Sequence, residues 1–220
     1  MAEFCTTHRE EELQTYLDNA WAVHDAPQRA LASAGGRVGK LRDAAAAGAC
    51  TCGGVWTAGV TFVLQYQGDD APRFCHDVLR ALTLGAARGV NMAVVGPPGC
   101  GKSTVFEDLN LIFNTSGKPA RDSSFPLSGI LGTDALLLQE FSWSAKICAF
   151  EELLQMLAGE RLAVRVPCAR PVQHRITASM FYTAWAPLGV TGMDASRPYN
   201  LNTAVAERFT TRTWARPHPP

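Results

Sequence analysis

The sequence has few of the features that would place this chain in a membrane or in an oxidising compartment. It contains no apolar run of about 18 residues or more, and no basic-then-apolar pattern at its amino terminus. Its seven cysteines are odd in number and irregularly spaced, which disfavours a disulfide framework. A zinc site at Cys50, Cys52, Cys75 and His76 is disfavoured by the C-x-C spacing, and buried thiols are the preferred interpretation. We therefore expect a soluble protein with no membrane partner, located inside the cell, in the nucleus or the cytoplasm.

Charge is also scarce. Only 18% of the 220 residues are charged, and the formal net charge is zero. If the chain binds a nucleic acid, a local basic patch must hold it, because the surface as a whole is not basic. Apolar residues make up 47% of the sequence, which is enough for a sizeable core, so bulk disorder is not expected.

One stretch fits G-x-x-x-x-G-K-[ST], the phosphate-binding P-loop. An apolar run at residues 90–95 precedes it and predicts a buried strand, and apolar residues at helical spacing follow it as far as Asn114. Backbone N–H groups and a helix N-terminus are then expected around a polyphosphate, with Lys102 on the β- and γ-phosphates and the Ser103 hydroxyl on Mg²⁺. The alternative is an ordinary Gly-Pro turn, which the agreement of both flanks disfavours. We expect ATP to bind at Gly96, Pro97, Pro98, Gly99, Cys100, Gly101, Lys102, Ser103 and Thr104.

Residues 135–140 form a short apolar run that ends in a carboxylate, Glu140. A P-loop ATPase needs an acid at the end of a neighbouring strand to hold Mg²⁺ and to activate water. Beside a P-loop this function is favoured over the alternative, a surface glutamate at the end of a strand. Most such sites carry two acids, whereas here Gln139 precedes the glutamate and its amide supplies no charge. Glu140 is predicted to be a catalytic residue and, with Ser103, a Mg²⁺ ligand.

The rest of the sequence alternates predicted helices and strands. A capping box at residues 7–10 and an alanine-rich stretch at 37–47 predict two early helices, while residues 55–66 fit either a strand or a helix. A turn at residues 68–72 begins a helix that leads to the P-loop strand. Further strands are predicted at 162–166 and 172–176, as a hairpin, and at 178–185, after a helix that ends at Gly159. This order predicts an α/β fold with a central parallel sheet flanked by helices, preceded by a small helical region.

Two groups of basic residues are candidates for binding phosphate. Arg208 is a candidate arginine finger that would act on the nucleotide of a neighbouring subunit, and a solvated or salt-bridged surface arginine is the alternative. Arg170, His174 and Arg175 on the predicted hairpin could contact the phosphates of a nucleic acid. A solvated hairpin is an equally good explanation of these three residues.

These features, in this order, resemble the superfamily 3 helicases of small DNA viruses, most closely the parvovirus Rep type, over roughly residues 74–214. Residues 157–166 look like the B′ segment of that family, and residues 181–185 look like its sensor strand. The resemblance implies an AAA+-like ATPase that forms a ring, usually a hexamer, and threads one DNA strand through a pore lined by the B′ hairpin. It assigns Gly96, Gly101, Lys102 and Ser103 to Walker A, Glu140 to the second acid of Walker B and Arg208 to the arginine finger.

The sequence departs from this family in three places. Gln139 replaces the first Walker B acid, Trp185 stands where the sensor asparagine would orient water, and the hairpin lacks the well-placed lysine of the family. Removing a single preorganised group commonly costs roughly 2.7–4 kcal/mol in the transition state, so hydrolysis is expected to be impaired. The sequence also has no His-hydrophobic-His motif with a downstream tyrosine, so the origin-nicking nuclease of Rep-type proteins is not expected.

The predicted function is therefore ATP-dependent unwinding of, or translocation on, single-stranded DNA by a ring, with ATP and Mg²⁺ as cofactors. Residues 1–70 would be a helical region that helps assembly, residues 71–216 the ATPase domain, and residues 217–220 a tail. The first alternative is a divergent relative that binds nucleotide and nucleic acid but hydrolyses ATP poorly. The second is a P-loop kinase for small molecules, which would need an arginine-rich lid; the candidate arginines alternate with valines, as in a hairpin.

Overall fold

The computed structural model describes residues 36–47, 52–119, 123–168, 170–188 and 201–216. Within the described residues, three helices precede the first strand. Residues 55–66, whose sequence fitted either a strand or a helix, are helical. The predicted capping box at residues 7–10 and the helix behind it lie outside the described residues. The helices are α1 (36–46), α2 (Val55–Tyr66), α3 (Ala71–Leu84), α4 (Leu109–Ile112), α5 (Phe150–Ala158) and α6 (Leu201–Ala206), with short 3₁₀ helices at Thr104–Phe106 and Ser128–Ile130.

The strands form a five-stranded parallel sheet and a separate antiparallel hairpin. The order across the sheet is β2-β3-β6-β1-β7, and every neighbouring pair in it is parallel. The hairpin consists of β4 and β5, as predicted. The strands are β1 (Asn91–Val95), β2 (Thr115–Ser116), β3 (Ala135–Gln139), β4 (Arg161–Val164), β5 (Val172–Arg175), β6 (Ser179–Ala184) and β7 (Phe209–Thr213).

The central strands are apolar along their whole length because both faces of the sheet are covered. Every residue of β1 and of β6 is buried, which is typical of a parallel sheet between two helical layers. On one face, Val94 and Phe181 pack with Phe74 of α3 and with residues after the P-loop; we call this the P-loop face. On the other face, Tyr182 packs with Leu153 of α5 and with β4; we call this the hairpin face. The predicted α/β fold is thereby confirmed.

Two cysteines of the disfavoured zinc site differ from the expectation of buried thiols. Cys52 is disulfide-bonded, and Cys75 is a free but exposed thiol. Cys148 is free and buried, and burial, helped by the negative charge of Glu152, raises the pKa of its thiol to about 11. Among the described helices, none combines the length and the apolar character needed to cross a membrane.

Candidate nucleotide-binding site

The P-loop and Glu140 lie at the same edge of the sheet, where the parallel strands end. Val94 of β1, Thr183 of β6 and Gln139 of β3 lie level with one another across three adjacent strands. The P-loop therefore continues from the strand edge at which Glu140 follows β3. One strand separates β1 from β3, so their backbones are about 10 Å apart. This edge is where open α/β sheets bind ligands.

The loop takes a path that only glycine permits. Gly99 and Gly101 have φ angles of 72° and 89°, which side chains rarely adopt. A Cβ atom at Gly96 would overlap the carbonyl oxygen of Trp214, and one at Gly101 would lie 2.8 Å from Cγ1 of Val63. The glycines of the motif are therefore required by the backbone conformation and by close packing.

Lys102 lies inside the loop as a buried positive charge. Its side chain is only 5% exposed, and its Nζ donates to the carbonyl oxygens of Gly96 and Pro97, each at 2.8 Å. Within the described residues no carboxylate forms an ion pair with it, and the backbone N–H groups of residues 99–103 donate to no protein acceptor. A buried ammonium group surrounded only by neutral acceptors is costly. An anion at the loop would supply the missing counter-charge.

The prediction of a continuous helix after the P-loop is wrong. The chain forms a 3₁₀ helix at Thr104–Phe106 and then only one turn of α-helix, α4. Thr104, Asp108 and Asn110 have weak helix propensity, and the backbone hydrogen bonds at residues 106–111 join residues three apart. Binding of phosphate at this site would therefore depend on the loop amides and Lys102, and the expected contribution of a long helix is missing.

Contacts from distant parts of the chain hold the loop from behind. The Gln67 side chain, just after α2, donates to the carbonyl oxygen of Cys100 at 3.2 Å and to that of Arg216. The backbone N–H of Arg216 donates back to Oε1 of Gln67 at 3.1 Å. Sequence reasoning missed these residues because no motif joins positions so far apart. The predicted boundary at residue 70 also assigns α2 to the amino-terminal region, although α2 contacts the P-loop through Val63.

An ion-pair cluster fixes the strand next to the P-loop. Arg212 of β7 pairs with both Asp69 and Asp77, and the indole N–H of Trp214 donates to Asp69. Burial acts to raise the pKa of Asp77, but hydrogen bonds and charges from Arg212 and His76 outweigh burial and hold that pKa below its usual value. The cluster joins β7 to α3 at the side of the loop.

Glu140 has an unusual backbone conformation and an exposed side chain. Its φ angle is 47°, and its N–H donates to the carbonyl oxygen of Thr183 at 2.6 Å. Burial, and secondly the negative charge of Glu140, raise the pKa of Tyr182 to about 12. Glu140 and Gln139 line an open cavity of about 450 Å³ together with Lys118. The acid is thus presented to solvent at the strand edge.

The donors present fit Mg²⁺ only when a nucleotide supplies further ligands. The Ser103 hydroxyl and the Glu140 carboxylate are exposed at the same edge of the sheet. No three His, Cys, Asp or Glu side chains gather into a metal site in the part of the chain that the structure describes. Mg²⁺ in nucleotide sites is held by one or two carboxylates, by phosphates and by water, so one hydroxyl and one carboxylate match that pattern.

Arg208 lies at the opposite edge of the sheet from the P-loop of its own chain. It precedes β7, whose first residue is level with Asn91 at the start of β1. Its guanidinium donates to the carbonyl oxygens of Leu154 and Ala204, and its own carbonyl oxygen accepts from the Asn91 side chain. Five residues of strand span about 17 Å, so Arg208 cannot reach the nucleotide site of its own subunit. Its action on a neighbouring subunit stays a prediction.

The hairpin separates the three basic residues predicted on it. Arg170 lies in the turn, whereas His174 and Arg175 lie at the base, so the three do not form one cluster at the tip of the hairpin. His174 is half-buried opposite Leu162, while Arg175 is exposed directly opposite Arg161. Like charges in such a pair disfavour folding. Arg161, which was not among the residues predicted to contact nucleic acid, therefore forms a pair of exposed arginines with Arg175 at the base of the hairpin.

Trp185 follows β6 at the edge where the resemblance expects the sensor asparagine. Its side chain is 75% exposed. An indole N–H can donate a hydrogen bond but, unlike an amide, cannot also accept one. No side-chain amide therefore occupies this position between the P-loop and Glu140.

The fold and this edge together define an α/β P-loop domain. No protein-family model matches the sequence, and no curated protein matches it. Among solved structures, the chain is similar to JCV helicase crystallised with a bound acetamide compound, with a TM-score of 0.49, 11% identity, and coverage of 73% of this chain and 45% of that chain. It is also similar to the apo C-terminal region of NrS-1, with a TM-score of 0.50, 17% identity, and coverage of 70% and 38%. The chain spans less than half of either structure, and at these identities the likeness concerns the fold alone.

Proposed function

We propose that this chain binds a nucleoside triphosphate, ATP, as its Mg²⁺ complex. The observation that carries the proposal is the buried ammonium group of Lys102, which has no carboxylate partner among the described residues and lies beside the free amides of residues 99–103. A triphosphate would accept hydrogen bonds from these amides and neutralise the lysine. The glycines allow the backbone to approach the phosphates closely.

Each polar residue at the strand edge has a distinct role in this proposal. Lys102 turns from the carbonyl oxygens of the loop to the β- and γ-phosphates, and the Ser103 hydroxyl contributes a metal ligand. Bound Mg²⁺ supplies neutralisation of the charge that develops on the phosphate oxygens. Glu140 accepts a hydrogen bond from the attacking water and orients it. Its exposure at the end of β3 leaves the carboxylate accessible to that water.

We further propose that the ATPase acts on single-stranded DNA as a ring of subunits, in the manner of the helicases that the sequence resembles.

 Arg208 is separated from the P-loop of its own subunit by the length of β1. To act on a nucleotide bound by a neighbour, its guanidinium would exchange the carbonyl oxygens of Leu154 and Ala204 for phosphate oxygens. On the hairpin, Arg161 and Arg175 are directly opposed and exposed, and a phosphate backbone would relieve their mutual repulsion. Arg170 in the turn and His174 at the base would extend that contact.

A second candidate function is nucleotide binding with little hydrolysis. Gln139 is half-buried at the end of β3 and brings an uncharged amide to the place where an acid would assist Mg²⁺. Trp185 brings no amide to the place where water would be oriented. Under this candidate the chain would assemble on nucleic acid in response to ATP and would remain bound.

The experiment that tests the proposal measures ATP binding and Mg²⁺-dependent ATP hydrolysis, with and without single-stranded DNA. Wild type is compared with Lys102→Ala and with Glu140→Gln, and the size of the assembly is followed by light scattering. We expect Lys102→Ala to abolish binding and Glu140→Gln to retain binding but lose turnover, with DNA stimulating the wild type. Equal ATP affinity in wild type and Lys102→Ala would contradict nucleotide binding at the P-loop. Binding without turnover in the wild type would select the second candidate.

A further inference from the structure

The hydroxyl group of Thr183 is a buried polar group without a hydrogen-bond partner among the described residues. Thr183 is 1% exposed, and its Oγ1 atom has neither a donor nor an acceptor within reach. Buried polar atoms in folded proteins are almost always paired, because an unpaired one destabilises the fold. An exception at the edge of a candidate active site indicates a partner that arrives with the ligand.

The hydroxyl lies on the same face of the sheet as the P-loop. Side chains alternate along a strand, so Thr183 shares its face with Phe181, whose ring centroid is 5.0 Å from that of Phe106, just after the P-loop. On β3, Gln139 shares that face with Leu137. Because Gln139 and Thr183 are register partners, a carboxamide and a hydroxyl lie side by side on the P-loop face.

Two neutral polar groups in this position can serve Mg²⁺ without touching it. Mg²⁺ gives up its water reluctantly and usually keeps several water molecules in nucleotide sites. A hydroxyl and an amide can each accept a hydrogen bond from such water, whereas neither supplies the charge of a carboxylate. The pair therefore offers a way to hold hydrated Mg²⁺ where Gln139 replaces an acid.

We propose that Thr183 is a positioning residue for the Mg²⁺–nucleotide complex, and that its hydroxyl and the Gln139 carboxamide hold water of the Mg²⁺ hydration shell. The inference rests on the proposed binding of nucleotide at the P-loop. It assigns a role to a residue of the predicted sensor strand other than Trp185, which stands at the sensor position itself. It also explains why the fold retains a buried hydroxyl that contributes no hydrogen bond to it.

The control in the test is a second threonine of the sheet, one whose hydroxyl is paired within the fold. Thr210 of β7 also lies in the sheet, but its Oγ1 donates to the carbonyl oxygen of Gly89 at 3.1 Å. Thr183→Val, Thr183→Ser and Thr210→Val are made in the full chain. The thermal midpoint is measured without nucleotide, and the affinity for ATPγS is measured by calorimetry in Mg²⁺ and in EDTA.

We expect Thr183→Val to leave the thermal midpoint unchanged or higher, and Thr210→Val to lower it. We also expect Thr183→Val to reduce the Mg²⁺-dependent gain in ATPγS affinity at least roughly tenfold, while its affinity in EDTA stays that of the wild type. Thr183→Ser, which restores a hydroxyl, should recover the gain, and Thr210→Val should keep it.

Two results would overturn the inference while leaving the proposed function intact. A midpoint lowered in Thr183→Val as in Thr210→Val would show that the hydroxyl is paired within the fold. A wild-type Mg²⁺-dependent gain in Thr183→Val would show that the hydroxyl does not act on the metal complex. Absence of ATPγS binding in the wild type, with Lys102→Ala behaving identically, would overturn the proposed function and this inference together.

Discussion

The two halves of the carboxyl edge of the sheet differ in how many distant residues contact them. In the half formed by β1 and β7, the carbonyl oxygen of Trp214 lies close to Gly96, and the Gln67 side chain donates to the carbonyl oxygen of Cys100. Arg212 of β7 pairs with two aspartates. Each contact joins segments far apart in the sequence. The position of the P-loop is therefore fixed by the surrounding fold as well as by its own glycines.

In the half formed by β3 and β6 the strands are fully paired, but the side chains at the edge have few partners within the described part of the chain. We call this the loose half, after its edge side chains, and the other, whose P-loop is held by distant residues, the rigid half. Glu140 and Trp185 are exposed, Gln139 is half-buried, and the Thr183 hydroxyl is unpaired among the described residues. The contrast suggests a division of labour: the rigid half would hold the phosphates, while the loose half would complete its contacts only around Mg²⁺ and water.

The largest effect is expected from Arg212→Leu, which leaves Asp69 and Asp77 without their cation. All three side chains are at most 15% exposed. Removing one partner of a buried ion pair costs roughly 3–5 kcal/mol, or a fall in thermal midpoint of roughly 6–20 °C for a chain of this size. Thermal unfolding, monitored by circular dichroism, measures this fall in the midpoint. The exposed pair of Arg88 with Glu207 is the control, and Arg88→Leu should cost about 1 kcal/mol or less.

The same variant should show a specific pH dependence. The pKa of Asp77 is lowered in the folded protein, so its stabilising contribution is present above the ordinary value of 3.8 and is lost as the pH falls through the lowered value. The difference between wild type and Arg212→Leu should therefore be largest above pH 3.8 and shrink in more acidic solution. A difference independent of pH would mean that Arg212 acts through packing rather than charge.

Gly96→Ala should have the next largest effect. The new methyl group would overlap the Trp214 carbonyl oxygen, and that oxygen belongs to backbone and cannot swing away. Overpacking of this kind costs roughly 1–3 kcal/mol, and the displaced loop should also bind ATP more weakly. Gly59→Ala in α2 is the control, because its Cβ meets nothing within 4 Å. Unfolding midpoints and ATP titrations of both variants decide whether the close approach to β7 holds the P-loop in place.

The predictions for Arg212→Leu and Gly96→Ala depend on contacts between distant residues, which the sequence does not reveal. The P-loop, the strands beside it and the hairpin were predictable because a motif and a hydrophobic period lie within short stretches. Gln67, Val63 and Trp214 were not, because each meets the P-loop only after the chain has folded. The helix after the loop was mispredicted because apolar spacing outweighed the weak helix propensity of residues such as Asp108.

The loose half was predictable only in part. Glu140 was found because it ends an apolar run, and Gln139 was recognised as a departure from the family pattern. The unpaired hydroxyl of Thr183 leaves no trace in the sequence, since its significance depends on its lack of partners. Arg161 was missed because the cross-strand register, which places it opposite Arg175, is fixed only in the folded hairpin.

Gln139→Glu would give the loose half the negative charge that it lacks. A carboxylate at this position would assist Mg²⁺ directly, so we expect Mg²⁺-dependent turnover to rise roughly tenfold, which corresponds to about 1.4 kcal/mol. Steady-state ATP hydrolysis, measured across a range of Mg²⁺ concentrations, tests for this rise in turnover. The control is Gln65→Glu, which adds the same charge at an exposed position of α2. An equal rise in both variants would contradict a local action on the metal.

The smallest change in stability, and one of opposite sign, is expected from Glu140→Gly. Glu140 and Cys168 are the described non-glycine residues with positive φ, at 47° and 55°, a conformation that glycine adopts without strain. Replacing either by glycine should therefore stabilise the fold by about 1 kcal/mol, seen as a modest rise in thermal midpoint. The two variants should differ in function, because only Glu140→Gly removes the proposed water-orienting carboxylate. Glu140→Gln, which keeps the strain and loses the charge, should lose turnover without gaining stability. If Glu140→Gly kept its turnover, the strained turn after β3 would have no part in catalysis. The exposed side chains of the loose half would then not be explained by a role in binding Mg²⁺ and water.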